Sequence, residues 1–296
     1  MSTTLTRSPA ADIPPTRTAK RSDFRRRRFT RYALVAVAVA YVSFLLLLPV
    51  GGIVWTVVDA GWHSVAETFA QPNVQHAFLL TGIIAVITVV VTTVLGVLVA
   101  WVLVRQHFRG KGFLNAMVDL PFALSPVTVG LGAVLLFGRG GWFEPWLTAH
   151  GIQIMYALPA MTMVTIFISL PFTIREVQPV LQELGKDEED ASRTLGASIT
   201  QTFRKVTLPN IRWALLYGVA LSTARAIGEI GAVLLVSGNL QGRTETATLY
   251  ILNAVDQRQR TSAYVVALTL AAVSIILLAG IEAAKHRIRR QREMTS

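Results

Sequence analysis

Six long apolar runs alternate with short polar connections along this chain: Tyr32 to Val58, Ala77 to Val104, Met117 to Phe137, Met155 to Phe172, Trp213 to Val236 and Ala263 to Ile281. A membrane-crossing helix needs about 20 mostly apolar residues, and several of these runs exceed that without a charge. The pattern predicts an all-α polytopic membrane protein with six transmembrane helices. Pro49 is expected to kink the first span, which lipid-embedded helices tolerate where neighbouring groups satisfy the freed backbone. The fourth run is short and flanked by Pro159 and Pro171, so its edges are open.

One polar stretch breaks the pattern in the second half, EEDASRTLGASITQTFRKVTLP, from Glu188 to Pro209. Asp187, Glu188, Glu189 and Asp190 suit the positive end of a helix dipole. Gly196 can take the left-handed conformation that closes a helix. Ser198 followed three residues later by Gln201 is a capping-box pattern that opens a second helix, with Arg204 and Lys205 in its last turn and Pro209 ending it. The expectation is helix, glycine turn, helix. From local physics alone, an amphipathic hairpin resting on the headgroups and a docking element for another protein are both open.

Charge orients the spans. Arg25 to Arg28 and Arg31 precede the first; Arg105, Arg109 and Lys111 follow the second. Arg175, Lys186, Arg193, Arg204, Lys205 and Arg212 follow the fourth, and Lys285, Arg287, Arg289, Arg290 and Arg292 close the chain. The loop from Asp59 to His76 has no Lys or Arg, the next outer loop has only Arg139, and the last has Arg243, Arg258 and Arg260. Both termini and the 187–209 stretch are therefore expected in the cytoplasm of a multi-pass protein. Residues 1–31 read as a disordered basic tail, 32–58 as the first span, 76–284 as the main membrane domain and 285–296 as a second basic tail. The net charge of +11 is placed at segment ends, where topology uses it, so nucleic acid is not an expected partner. With zero Cys, disulfides, thiolate metal sites and Cys nucleophiles are excluded.

Asp190-Ala191-Ser192, then three residues, Gly196, then nine residues, Val206-Thr207-Leu208-Pro209 resembles the EAA loop of ABC importer permeases, E-A-A, three residues, G, nine residues, I-x-L-P. Asp for Glu, Ser for the second Ala and Val for Ile are the departures. The resemblance implies a type I ABC importer permease fold in which this loop is a cytoplasmic coupling helix that inserts into a separate ATPase subunit. No G-x-x-x-x-G-K-[ST] phosphate loop occurs in the chain, so no cofactor is expected here and ATP falls to the partner.

The stretches VDLPFALSPVTVGL, GWFEPWL, IFISLPFTIREVQPV and LPNIRWALLYGVALSTARAIGEIGAVLLVSGNLQG are similar to the CysW type of sulfate/thiosulfate permease, over a region from about Ala77 to the end of the sixth span. This implies one half of a heterodimeric pore in a bacterial inner membrane, with a second homologous permease and an extracytoplasmic binding protein as partners. RAIGE is shared with molybdate and tungstate permeases, which is the alternative. Arg258 and Arg260 have no counterpart in the family pattern. A membrane-embedded enzyme or ion-coupled carrier is the remote rival, and it calls for intramembrane His, Asp or Glu clusters.

Arg225 and Glu229 lie four residues apart in the fifth run, on one face if the helix is continuous. They are either a self-neutralising structural pair or part of a gate on the anion path. Asp119 is expected to cap the third span. Ser125, Thr128 and Thr223 can donate to an anion or to the backbone. Gly138 to Gly141 is read as a turn whose Arg139 could meet a docking protein; His63 and His76 are too isolated for a metal site.

Overall fold

The computed structural model describes residues 19–293, with side chains described from Tyr32 to Gly280 and at Glu282 and Ala283. Among the described residues the regular structure is entirely helical. Two compact units are present. The unit ending at Trp55 holds the apolar first part of helix α1 (Ala19–Ala70). Since α1 begins at Ala19, part of the tail expected to be disordered is helical. Residues 1–18 lie outside the described residues, as do the side chains of Arg25 to Arg28, Arg31 and Lys285 to Arg292. The departure from helical φ/ψ in α1 falls at Gly61 (φ 78, ψ 165), where glycine has no Cβ to oppose it, and not at Pro49.

The unit from Thr56 onward carries α2 (Pro72–Arg105), α3 (Lys111–Ala123), α4 (Pro126–Phe137), α5 (Glu144–Ala149) and α6 (Leu158–Glu183). It continues with α7 (Asp187–Thr194), α8 (Ile199–Thr202), α9 (Leu208–Ile227), α10 (Gly231–Ser237), α11 (Ala247–Asp256) and α12 (Arg260–Glu293). Among the described residues four helices are long and apolar enough to cross a membrane: Tyr32–Ala70, Pro72–Arg105, Leu158–Glu183 and Arg260–Gly280. The third and fifth apolar runs form bent pairs, α3 with α4 at 111° and the Ile199–Ile227 helix with α10 at 54°, giving six spans when each pair counts as one. The first bend has a local cause. Ser125 precedes Pro126, and the residue before proline is pushed out of the helical region; Leu124 and Ser125 are both extended.

Helices α2, α6 and α9 pack on one another at the centre of this unit. Lipid offers no hydrophobic drive between helices, so close contact between small residues and buried hydroxyls does the work. Thr173 of α6 sits between two glycines: a Cβ on Gly96 of α2 would meet its Cγ2 at 2.7 Å, and one on Gly218 of α9 would meet its Cα at 2.9 Å. Its hydroxyl shares a 2.9 Å hydrogen bond with Ser222, which donates to Ser169 O at 3.2 Å. Two apolar clusters flank this contact. Leu80, Ile84, Met161, Val164 and Val233 fill one end, and Val97, Leu103, Ile174, Val177, Leu181 and Ile211 the other.

Candidate functional site

The polar interruption folds as a helical hairpin at the end of the unit where α2 and α6 finish. Its acidic first turn starts α7. Leu195 N donates to Ala191 O, Gly196 N to Arg193 O and Ala197 N to Ser192 O, which closes the helix with Gly196 at φ +85. Ser198 then caps α8: Gln201 N donates to its Oγ at 3.3 Å and Ser198 N to Gln201 Oε1 at 2.9 Å. These features stand where the sequence places them. Pro209 does not. Rather than ending the second helix, it starts α9, and helix runs without a break from Ile199 to Ile227. The turn Phe203–Thr207 is widened into a π-helix, with Leu208 N donating to Phe203 O, and this wider turn accommodates a proline that lacks an N–H and would crowd a normal α-turn.

Of the coupling residues, Asp190, Ala191, Gly196 and Pro209 are exposed, and Ser192, Val206 and Leu208 are half-buried. Leu195 and Ile199 at the tip are 89% and 67% exposed. Ser192 and Thr202 share a 3.2 Å hydrogen bond across the hairpin, and Asn210 donates to Glu188 Oε2 at 2.6 Å. An apolar groove of about 500 Å³ lies beside the hairpin, walled by Val97 and Trp101 of α2 and by Phe203, Leu208 and Leu215.

Reading the acidic run as one block missed its buried member. Glu189 is tucked inward, and the Arg105 guanidinium reaches it through Nε at 3.1 and 3.2 Å and through Nη2 at 3.1 Å. Arg105 Nη1 donates to Leu181 O at 2.9 Å, and Thr207 Oγ1 donates to Glu189 Oε1 at 2.9 Å. The sequence hint was slight: Arg105 is the charge that ends a long apolar run, and its partner lies 84 residues away.

Arg225 and Glu229 do pair, with Nη2 to Oε2 at 2.7 Å, but not along one helix. Helix α9 stops at Ile227, and Glu229 lies in the bend before α10. Its Oε1 accepts from Ala232 N at 2.8 Å, placing a carboxylate at the α10 N-terminus, where the exposed N–H groups favour it. Thr248 Oγ1 donates to Glu229 O at 2.8 Å. The Glu229 side chain is 2% exposed and that of Arg225 27%, so the carboxylate is enclosed while the guanidinium is partly open. A small cavity lined by Thr81, Thr165, Glu229, Thr246 and Thr248 adjoins the pair.

Asp119 is not a cap. It lies in the second half of α3, and Arg175 of α6 donates to its Oδ1 through Nε at 2.8 Å, and also to Asn115 Oδ1 at 3.0 Å, tying α3 to α6. Thr223 bonds Val219 O at 2.7 Å, the backbone option of the two left open. Arg139 lies exposed in its turn, and His63 pairs with Glu67 at 3.2 Å. Outside the spans, the loop residue Glu245 is 1% exposed and accepts from Asn253 Nδ2 at 2.5 Å. Burial pushes its carboxyl above the ordinary value of 4.5, against the lowering effects of that hydrogen bond and of His76. Among the described residues no group of three or more His, Asp or Glu is placed to hold a metal ion.

Residues 92–290 match the family of binding-protein-dependent transport system inner membrane components. The chain belongs to this family. The sulfate transport system permease protein CysW of Synechocystis sp. is 43% identical over 248 residues, covering 84% of this chain and 90% of that one. CysT, the sulfate transport system permease protein of Escherichia coli (strain K12), is 36% identical over 257 residues, covering 87% and 93%. A chain of a bacterial alginate ABC transporter, solved with an alginate pentasaccharide-bound periplasmic protein, superposes with a TM-score of 0.74 over 89% of this chain and 96% of that one. At 17% identity that likeness establishes the type I importer permease fold alone. The family and the helices together make the chain a multi-pass inner-membrane transport subunit.

Proposed function

We propose that this chain is one permease subunit of an ATP-driven importer for sulfate or thiosulfate. It works with a second, homologous permease, an ATPase subunit and an extracytoplasmic binding protein. The observation that carries this is the hairpin of residues 187–209: it is capped at both helices and exposes Asp190, Ala191, Gly196 and the apolar Leu195 and Ile199 at its tip. A rigid, partly apolar projection of this kind fits a groove on another protein. The Lys and Arg pattern supports a cytoplasmic position for the hairpin and both termini. With no phosphate-loop sequence in this chain, ATP is bound and hydrolysed by the partner. The names of the CysW and CysT relatives support the anion and suggest a CysT-like second permease, and the alginate transporter complex supports delivery by a binding protein.

Within the bundle the partly open Arg225 guanidinium supplies donors of the kind an oxyanion uses, and enclosed Glu229 moderates its charge. Co-expression with the candidate ATPase and second permease tests the assembly. The three should purify together, and the binding protein loaded with sulfate should raise ATP hydrolysis. Stimulation by a molybdate-loaded binding protein and none by sulfate would move the assignment to a molybdate permease. Failure of the hairpin-bearing chain to retain the ATPase would refute the coupling role.

A further inference from the structure

The hairpin contacts the rest of the unit through more than its own caps. Its internal hydrogen bonds, Ser192 with Thr202 and Glu188 with Asn210, join residues that are themselves within the hairpin or just beyond it. The chain leading into it passes through Gly185 at φ +63, a turn with no side chain to stiffen it. The Glu188–Asn210 bond ties the exposed side of α7 to the start of α9, and what fixes α7 to α2 and α6 is the Arg105 cluster. The side chains of Arg105 and Glu189 are 6% and 9% exposed. Three guanidinium nitrogens are engaged, two on Glu189 and one on Leu181 O, and Lys186 Nζ donates to Arg105 O at 3.2 Å. Through Thr207 the same carboxylate also holds the π turn that leads into α9. The ends of α2 and α6, helix α7 and the start of α9 therefore meet at one ion pair, α6 through Arg105 and α9 through Glu189.

We propose that Arg105, Glu189 and Thr207 are positioning residues for energy transfer: they make the hairpin and the ends of α2, α6 and α9 move as one body when the hairpin is displaced. This rests on the coupling role proposed above and deepens it. A buried ion pair is a weak source of stability, since desolvation offsets most of the attraction and apolar residues of similar size often do as well. What it supplies is direction. A planar guanidinium bonded through several nitrogens resists rotation and sliding, whereas apolar side chains in contact can slip past one another. A coupling lever needs the first property and gains nothing from the second.

The test uses the assembled transporter and reads anion moved per ATP hydrolysed, a ratio that loss of folded protein alone does not change. Arg105→Met with Glu189→Leu replaces the cluster by apolar residues of similar size. This variant should insert and retain the ATPase within about twofold of the wild type, while the ratio falls roughly threefold to thirtyfold. An unchanged ratio with the ATPase retained overturns the proposal. Should the double variant fail to accumulate, Thr207→Val decides: it removes one donor to Glu189 and leaves the Arg105 pair, so the ratio should fall about twofold or more, with recovery in Thr207→Ser. A Thr207→Val ratio equal to the wild type, or no recovery in Thr207→Ser, also overturns it. If the wild-type chain does not retain the ATPase at all, the coupling role itself fails, which is a different result from either variant outcome.

Discussion

Replacing Gly196 by valine should weaken ATPase capture without unfolding the protein. Gly196 sits at φ +85, and no atom lies within 4 Å of where its Cβ would be. The Cβ therefore meets no neighbour, and the penalty is backbone strain. Holding an L-residue in the left-handed region costs roughly 1–2 kcal/mol, and a β-branched residue lies at the unfavourable end. That is a small part of the ~5–15 kcal/mol that typically holds a domain together, so insertion and accumulation should persist. If the strain must be met before docking, capture affinity falls by about fivefold to thirtyfold. Gly196→Pro should be worse, because its φ is fixed near −65° and it removes the N–H that donates to Arg193 O. Gly196→Asn should be mild, since asparagine tolerates this conformation. The assay is retention of the ATPase on the purified permease across a titration of ATPase. Equal retention by glycine and valine variants would refute the reasoning, because it would mean that the turn at the hairpin tip need not keep its geometry.

Glu229→Gln should leave Arg225 without its counter-charge and Arg225→Gln should leave enclosed Glu229 alone, each costing roughly 3–5 kcal/mol in folded protein or transport, while Gln at both should restore folding better than labelled-sulfate uptake. Wild-type uptake in both single variants would contradict the role given to the pair. For Glu245, the folded state holds a proton that the unfolded state has released, so this group lowers stability as pH rises from 4.5 through its raised value. Glu245→Gln should flatten that slope in thermal melts of the purified transporter, and an unchanged slope would show that Glu245 does not titrate in this way.

The sequence was legible where the determining physics is local. The capping box of Ser198 and Gln201 and the left-handed turn at Gly196 each depend on residues within one helical turn, and both formed as read. Hydropathy located all six apolar runs but carries no direction, so the 111° bend between α3 and α4 went unread although Ser125-Pro126 marks it. The same lack hid the break at Gly228, which moves Glu229 off the helix face of Arg225. Pro209 was read by its usual effect, which a widened turn upstream cancels. Arg105 and Glu189 were out of reach for a different reason: their pairing depends on α2 and α6 ending beside α7, and no local pattern encodes that.

Uptake of labelled sulfate into proteoliposomes is the most direct test of the central claim. The chain is reconstituted with its ATPase and second permease, with binding protein on the binding-protein face and ATP on the hairpin face. The account predicts accumulation that requires ATP, the binding protein and this chain together, and that drops with Gly196→Val. Sulfate accumulation without the ATPase, or none with all components present and ATP being hydrolysed, would contradict it.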